Sequence, residues 1–437
     1  MKPARLAAAI ALALAAGHAA AADLSSVFRD AQVSDPVFQA ARAQYQATTE
    51  RLPQARAGYL PQVNATGAVF RTHSERSGAP DADLTTNTIA VTLAQPVFRM
   101  QNWIAISQAG QQVLQAEAVL ANARQDLALR VAQAYFDVLL AQDNVALSQT
   151  QKAAIDQQLA QAKRNFEVGT ATIVDTLEAQ ARYDQSVAKE IADRNDLEVK
   201  RRALLLLLGT VPDGLTPLRD PLVLAEPRPN DIEQWVKAAV DSSYQVAIAR
   251  ATFEVAQQEV ARQRAASLPT VDLSGSVSRA DRGTEPVPGQ SPVGRDASIG
   301  LQLSVPLFTG GLIQSRVREA LALKERSSQE LENAQRSVAQ QARASYLNVT
   351  SGIAQVKALE QALVSTQSQL DSTILGRDVG VRTSVDVLNA QQQVFQTRRD
   401  LQQARYTFLV NTLRLKAATG TLTEADIEAV NRTLGRG

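Results

Sequence analysis

Two aspartates, Asp175 and Asp386, occupy the same place in a segment that the chain contains twice. The segment "VGTATIVDTLEAQ" starts at Val168, and "VGVRTSVDVLNAQ" starts at Val379, 211 positions later. In both copies the aspartate stands three residues after a threonine that follows a glycine, which is the S/T-x-x-D pattern of a helix N-terminal cap. A carboxylate there stabilises the first helical turn, and several such carboxylates brought together would attract cations. The two roles do not exclude one another.

The remaining composition offers little for catalysis. The chain has no cysteine, and its only histidines are His18 and His73. Because His18 falls in the apolar N-terminal segment, one imidazole remains for a zinc site or a Ser-His-Asp triad. The sequence contains no G-x-x-x-x-G-K-[ST] or G-x-G-x-x-G phosphate loop, and 45 basic residues nearly balance 44 acidic ones. We therefore predict that the protein is not an enzyme, uses no cofactor or metal and does not bind nucleic acid.

Residues 1–22 have the pattern of a secretory signal peptide. Lys2 and Arg5 precede an apolar run, and the small residues Ala20, Ala21 and Ala22 precede Asp23. No later run approaches the eighteen or so apolar residues of a transmembrane helix. The sequence thus predicts a protein that leaves the cytoplasm and has no membrane-spanning helix.

The chain is predicted to be a duplication. Residues of the same type recur at an offset of 211: Tyr135 and Tyr346, Gly169 and Gly380, Gly209 and Gly420. We expect a first structural repeat at 23–210, a proline-rich linker at 211–230 and a second repeat at 231–437. Each repeat is predicted to contain a helix, a β-hairpin, a long helix and a returning helix, and the second ends in a short tail.

The order of periodicities is the same in both copies. Residues 24–58 predict one helix, and strict alternation then predicts strands, for example where Ile299, Leu301 and Leu303 interleave with small or polar residues. We expect strands of about nine to eleven residues, the length that crosses a bilayer, with polar loops at Ser74–Asp83 and Arg282–Arg295. A water-soluble pair of hairpins with one face on a core would show the same alternation.

Long helices follow each predicted hairpin. In the first copy, small or apolar residues spaced by three and four run from Trp103 to Phe166, the pattern of a coiled-coil seam. Such a helix would be about 96 Å long, and the helix that returns from Thr172 to Leu208 about 55 Å. Four strands cannot close a barrel, and unpaired edges in lipid cost several kcal/mol per group. A membrane location would therefore require an oligomer, with apolar faces toward lipid and Asp272 toward the lumen.

The duplicated order of elements, the two glycine-turn segments and the C-terminal stretch "QQQVFQTRRDLQQARYTFLVNTLRLKAATGTLTEADI" resemble the TolC family of outer-membrane efflux proteins. The resemblance implies an α+β membrane protein with long antiparallel coiled-coil helices and four transmembrane β-strands per chain. It implies a homotrimer that forms a 12-stranded barrel in the outer membrane and an α-helical tunnel in the periplasm. The implied function is the passive exit duct of a tripartite efflux or type I secretion system. The implied partners are a periplasmic adaptor protein, an inner-membrane ABC or proton-driven transporter and outer-membrane lipid.

The same resemblance assigns roles to particular residues. The glycine turns at Gly169 and Gly380 would lie at the periplasmic tip, and the aperture there would be lined and held shut by Asp175, Arg382, Asp386 and Asn389. The chain departs from the family pattern at Asn389, which carries no charge, and at Arg377, where an aromatic residue is expected. Capping alone explains the two aspartates equally well, and Arg382 alone would be an ordinary solvated arginine.

A second function class fits part of the sequence. A soluble periplasmic coiled-coil scaffold or adaptor would explain the signal peptide, the helices and the lack of catalytic residues. It does not explain four alternating strands of bilayer length at equivalent places in the two copies.

Overall fold

The computed structural model describes residues 22–75, 77, 82–210, 212, 214–283 and 293–435. The predicted signal peptide up to residue 21, parts of both strand loops and two linker positions lie outside the described residues. Over the described ranges the chain forms ten helices and four strands. These are α1 (Leu24–Ser34), α2 (Pro36–Thr49), α3 (Arg51–Ala57), β1 (Gln62–Ser74), β2 (Ala82–Phe98), α4 (Met100–Glu167), α5 (Ile173–Leu208), α6 (Ile232–Ser242), α7 (Tyr244–Ala265), β3 (Thr270–Gly283), β4 (Val293–Ser304), α8 (Leu312–Asp378), α9 (Ser384–Ala418) and α10 (Glu424–Asn431).

The leading helix of each copy is broken, where the sequence predicted one helix for residues 24–58. In the first copy α1 ends before Asp35, whose backbone is extended because the following proline disfavours helical geometry. The Asp35 carboxylate accepts the amide of Phe38 (2.8 Å) and caps α2. The second copy breaks at Ser243, where the backbone is again extended and the hydroxyl accepts the amide of Gln245 (3.2 Å). In the second predicted copy, Ser243 thus separates two helices by capping the second one, and no proline is present there.

The four strands form one antiparallel sheet in the order β1-β2-β3-β4. The pairing of β2 with β3 joins the hairpins of the two predicted copies, with Val91 opposite Val277. The strands have 13, 17, 14 and 12 residues, so the predicted length of nine to eleven was wrong. The ladders continue into the predicted polar loops, where His73 pairs with Asp83 and their side chains bond at 2.9 Å.

The sheet carries exposed apolar side chains at every second position. On β4 the exposed fractions are 79% for Ile299, 69% for Leu301 and 65% for Leu303. The other face is polar: the hydroxyl oxygens of Ser276 and Ser298 lie 2.9 Å apart. Asp272, expected on that face, accepts two bonds from the guanidinium of Arg99, at 2.9 and 2.8 Å. Bidentate pairing of this kind fixes the geometry of both side chains.

The chain divides into two compact units, and each draws on both predicted copies. One contains the sheet with Ala43–Val119 and Ala247–Ala334. The other contains the chain up to Arg42, Leu120–Val246 and the chain from Gln335 onward, and its core is centred on buried side chains of α4 and α9, including Tyr135, Phe136, Val138, Tyr406, Phe408 and Leu413. Predicted seam positions of α4 are buried in this unit, among them Leu127, Val131, Val138, Ile155 and Leu159.

The two longest helices, α4 and α8, have 68 and 67 residues, about 100 Å each at the standard helical rise. Among the described helices, none combines the length and the hydropathy that a membrane span requires.

The exposed face of β4 provides a first test. Leu303→Arg places a charge on the apolar face, where contact with lipid would make it destabilising, by less than the about 2–4 kcal/mol of the bilayer centre because Leu303 lies near the end of β4. Gln302→Arg, one residue away, places the same charge on the polar face, opposite Asp272, where water can solvate it. We expect the amount of assembled protein in the outer-membrane fraction to fall sharply for Leu303→Arg and to stay near wild type for Gln302→Arg. Equal amounts of the two variants would show that this face does not meet lipid.

Candidate functional site

Each long helix ends in a glycine turn that only glycine adopts without strain. Gly169 and Gly380 have φ values of +78° and +81°, in the left-handed region that a side chain disfavours. The amide of Gly169 donates to the carbonyl of Phe166 (3.0 Å), and the amide of Gly380 donates to that of Arg377 (3.0 Å). These bonds end α4 and α8 and let α5 and α9 start within a few residues.

Both returning helices begin with a complete capping box. The amide and hydroxyl of Thr172 donate to the Asp175 carboxylate at 2.9 and 2.7 Å, and the Asp175 amide donates back at 3.3 Å. The amide and hydroxyl of Thr383 donate to the Asp386 carboxylate at 2.9 Å each, and the Asp386 amide donates back at 3.1 Å. The capping pattern predicted for the two threonine-aspartate pairs is therefore confirmed.

The caps hold both carboxyl groups in the ionised form. Bonds from the side chain and backbone of Thr172 lower the pKa of Asp175 below its ordinary value. Bonds from the backbone and side chain of Thr383 lower the pKa of Asp386, and the charge of Arg382 adds to this effect. Each helix thus begins with a fixed negative charge at the positive end of its dipole.

Three of the four predicted aperture residues lie together in a groove of about 580 Å³ beside α9. Its lining side chains are Gln369, Ser372, Thr373, Arg382, Asp386, Asn389, Ala390 and Gln393. Arg382 is placed there by its backbone, whose amide donates to the carbonyl of Gly376 (3.1 Å). A Cβ at position 376 would lie 2.8 Å from Cγ of Arg382, so this close approach needs glycine.

The fourth residue, Asp175, is not among the side chains that line this groove. Its carboxylate is bonded to Thr172. Arg377, which replaces an expected aromatic residue, pairs with the neighbouring Asp378 at 2.8 Å. In the described residues, no group of three or more His, Asp or Glu side chains is arranged to hold a metal ion.

Sequence reasoning missed the residue that contacts Asn389. The guanidinium of Arg182, on α5, donates to Oδ1 of Asn389 at 3.0 Å and to Oε1 of Gln392 at 2.9 Å. A signal was present, because Arg182 follows Asp175 by seven residues, which is two turns along one helix face. Its partner on α9 could not be found from spacing, because the contact joins residues 207 positions apart.

Comparisons with known proteins identify the family. The model of the family described as "Outer membrane efflux protein" matches residues 27–210 and again residues 235–421. The chain therefore belongs to the outer membrane efflux protein family, whose members are transport channels of the outer membrane.

Individual relatives agree with this assignment. The chain is 32% identical over 415 residues to outer membrane protein TolC of Vibrio cholerae, covering 95% of this chain and 94% of the relative. It is 30% identical over 406 residues to the alkaline protease secretion protein AprF of Pseudomonas aeruginosa, covering 91% and 84%. The crystal structure of outer membrane protein VceC from Vibrio cholerae superposes with a TM-score of 0.77 at 19% identity, covering 91% of this chain and 96% of that one. The predicted family, fold class and outer-membrane location are confirmed.

The capping boxes predict a pH dependence of the two turns. Since folding lowers the pKa of Asp175 and Asp386, their stabilising effect is present above the ordinary aspartate pKa of about 4. It is lost as the pH falls through the lower folded-state values. We expect amide hydrogen exchange of peptides covering 168–176 and 379–387, corrected for intrinsic rates, to speed up below about pH 4. Peptides from the middle of α9 serve as the control, and equal acceleration there would mean that the caps are not responsible.

Proposed function

We propose that the protein is the passive exit duct of a tripartite efflux or type I secretion system and acts as a homotrimer. The observation that carries this proposal is the sheet. Within the described residues β1 and β4 each pair with only one strand, and the apolar side chains of β4 are exposed. In an outer-membrane protein those edges must be paired, because unsatisfied backbone groups in lipid cost several kcal/mol each. Three copies of four strands would make a 12-stranded barrel without edges.

The relatives support both kinds of export. The family description names efflux, and AprF is named for the secretion of alkaline protease. We therefore propose a periplasmic adaptor and an inner-membrane ABC or proton-driven transporter as partners. The chain would contribute a passage and no chemistry, and its sequence contains no phosphate loop to supply energy.

The proposed gate lies at the turns of Gly169 and Gly380 and uses Asp175, Arg382, Asp386 and Asn389. Its support is the common groove of the last three residues and the fixed ionisation of both aspartates. Converging carboxylates of three chains would attract cations and repel one another unless paired.

The domain division also remains a proposal: two repeats at 23–210 and 231–437, a linker at 211–230 and a signal peptide at 1–22. Ala22 is bonded within the fold, because its amide donates to the carbonyl of Gly214 (2.8 Å) and its carbonyl accepts from Thr216 (3.1 Å). The Tyr135 hydroxyl also donates to Ala22 (3.1 Å). Because these bonds keep Ala22 in the fold, we propose that the cleavage lies one residue upstream of the predicted end of the signal peptide, between residues 21 and 22. Mass spectrometry of the mature N-terminus would locate it.

The mass of the native particle tests the oligomer. We expect light scattering of the detergent-extracted protein, with the detergent contribution subtracted, to give the mass of three chains. A monomer that osmotic shock releases without detergent would instead support the soluble periplasmic scaffold.

The gate is tested in planar lipid bilayers. Asp386→Ala removes the charge and the acceptor of the Thr383 bonds, whereas Asp386→Asn removes the charge and keeps an acceptor. We expect both variants to shift the permeability ratio of the channel toward anions, and Asp386→Ala also to increase conductance, because its turn loses the cap. Asp175→Ala should act in the same direction.

Asp400→Ala is the matched control, since Asp400 is exposed on the same helix and accepts only from Gln396 among the described residues (2.8 Å). Unchanged currents in all the Asp175 and Asp386 variants would leave these residues with a capping role only.

A further inference from the structure

A cation contacts Asn389, the aperture position at which this chain departs from the charged residue of the family pattern. Arg182 is half-buried on α5, and its two terminal nitrogens bond to the side-chain amides of Asn389 and Gln392 on α9. Both acceptors are neutral. The contact thus joins the two helices without neutralising the charge of the guanidinium.

Neighbouring basic residues are neutralised, in contrast to Arg182. Arg399 of α9 lies 3.5 Å from the Asp193 carboxylate, and Lys152 of α4 lies 2.5 Å from that of Glu190. The nearby carboxylate of Asp184 accepts from Gln180 (3.0 Å). In the part of the chain that the structure describes, no carboxylate lies within ion-pair distance of Arg182.

The positive charge lies close to the proposed aperture. Asn389 follows Asp386 by one helical turn, and both line the groove that contains Arg382. Since Nη2 of Arg182 is 3.0 Å from Oδ1 of Asn389, the guanidinium lies next to a side chain of this groove. Arg182 also lines an adjoining cleft of about 250 Å³, together with Leu388 and Gln392.

We propose that Arg182 determines the ion preference of the aperture and holds α9 against α5 within each protomer. This inference rests on the proposed function. Two negative groups, Asp175 and Asp386, are then balanced by two positive groups, Arg182 and Arg382, so each protomer brings no net charge from these four residues. An aperture of this composition discriminates weakly between cations and anions, whereas one lined by two carboxylates per protomer favours cations.

Two substitutions separate the effect of the Arg182 charge from the effect of its bonds to α9. Arg182→Gln removes the charge together with the two-pronged donor and leaves a shorter, neutral amide. Arg182→Lys keeps the charge but replaces the planar two-pronged donor by a point charge that cannot reproduce the bidentate geometry. The matched control is Arg202→Gln on the same helix, since Arg202 is exposed and pairs with Glu198 (2.8 Å).

The experiment measures single-channel conductance and the reversal potential of full-length protein in a potassium chloride gradient. The salt is kept near 0.1 M, where charges act over about 10 Å. We expect Arg182→Gln to raise the potassium-to-chloride permeability ratio by about twofold or more, as a change of three charges at a narrow opening should. Arg182→Lys should keep the wild-type ratio and increase conductance, and Arg202→Gln should change neither.

Asn389→Asp provides an independent test, because it adds a negative charge beside Arg182 instead of removing the positive one. The new carboxylate would pair with Arg182, so its effect on the permeability ratio should be smaller in the wild-type background than in Arg182→Gln. Asn389→Asp also tests the inference if Arg182→Gln does not assemble. Pairing of the new carboxylate with Arg182 should lower the conductance of this variant, and added salt should restore it.

Failure of the inference can be distinguished from failure of the proposed function. A wild-type protein that forms no trimer and no channels would overturn the proposed function. Wild-type channels whose permeability ratio and conductance are unaffected by Arg182→Gln, Arg182→Lys and Asn389→Asp would overturn the role of Arg182 alone.

Discussion

The unpaired edges of the four-stranded sheet are the constraint on which the rest of the structure depends. In the described residues β1 and β4 pair on one side only. Soluble proteins protect such edges with charges, prolines or short strands, whereas β4 exposes an isoleucine and two leucines in alternation. A sheet with unpaired edges and exposed apolar side chains is unfavourable in water, and in lipid its edge backbone groups would lack hydrogen-bond partners. The proposed barrel of three chains satisfies both requirements, because further copies supply the missing strands.

The predicted duplication would explain how one chain arranges its strands and helices. The pairing of β2 with β3 makes one sheet from two hairpins, and the compact units are each built from segments of both copies. The copies have not kept the same residues at equivalent places: the break before α2 has Asp35 and a proline, and the break before α7 has Ser243 without one. What has been kept is the physical requirement, a side-chain acceptor for the amides at the start of a helix.

The parts of the fold that depend on local periodicity could be predicted from the sequence. The seam of α4, the alternation of β4 and the two capping boxes are of this kind, since each needs only the spacing of residues along one element. The break at Ser243 could not be predicted, because serine ends a helix only in some contexts. The strand ends were missed because the pairing of His73 with Asp83 lengthens a ladder that propensity alone would stop. The contact of Arg182 was missed because its partner Asn389 lies on another helix, 207 positions away, and spacing along one helix does not reveal such a partner.

The bonds of the site also distinguish what is rigid from what can move. The carboxylates of Asp175 and Asp386 are occupied by the threonines of their own turns, so each turn is fixed internally. Next to the aperture residues, the polar contact between α5 and α9 is made by an arginine and two neutral amides, and such bonds are weaker than the pairing of Arg399 with the Asp193 carboxylate farther along the same two helices. Separating these helices leaves an arginine that water can solvate, whereas unwinding a turn leaves a helix end without its cap. The aperture therefore changes its width most easily when the turns stay intact and move together with the ends of the long helices.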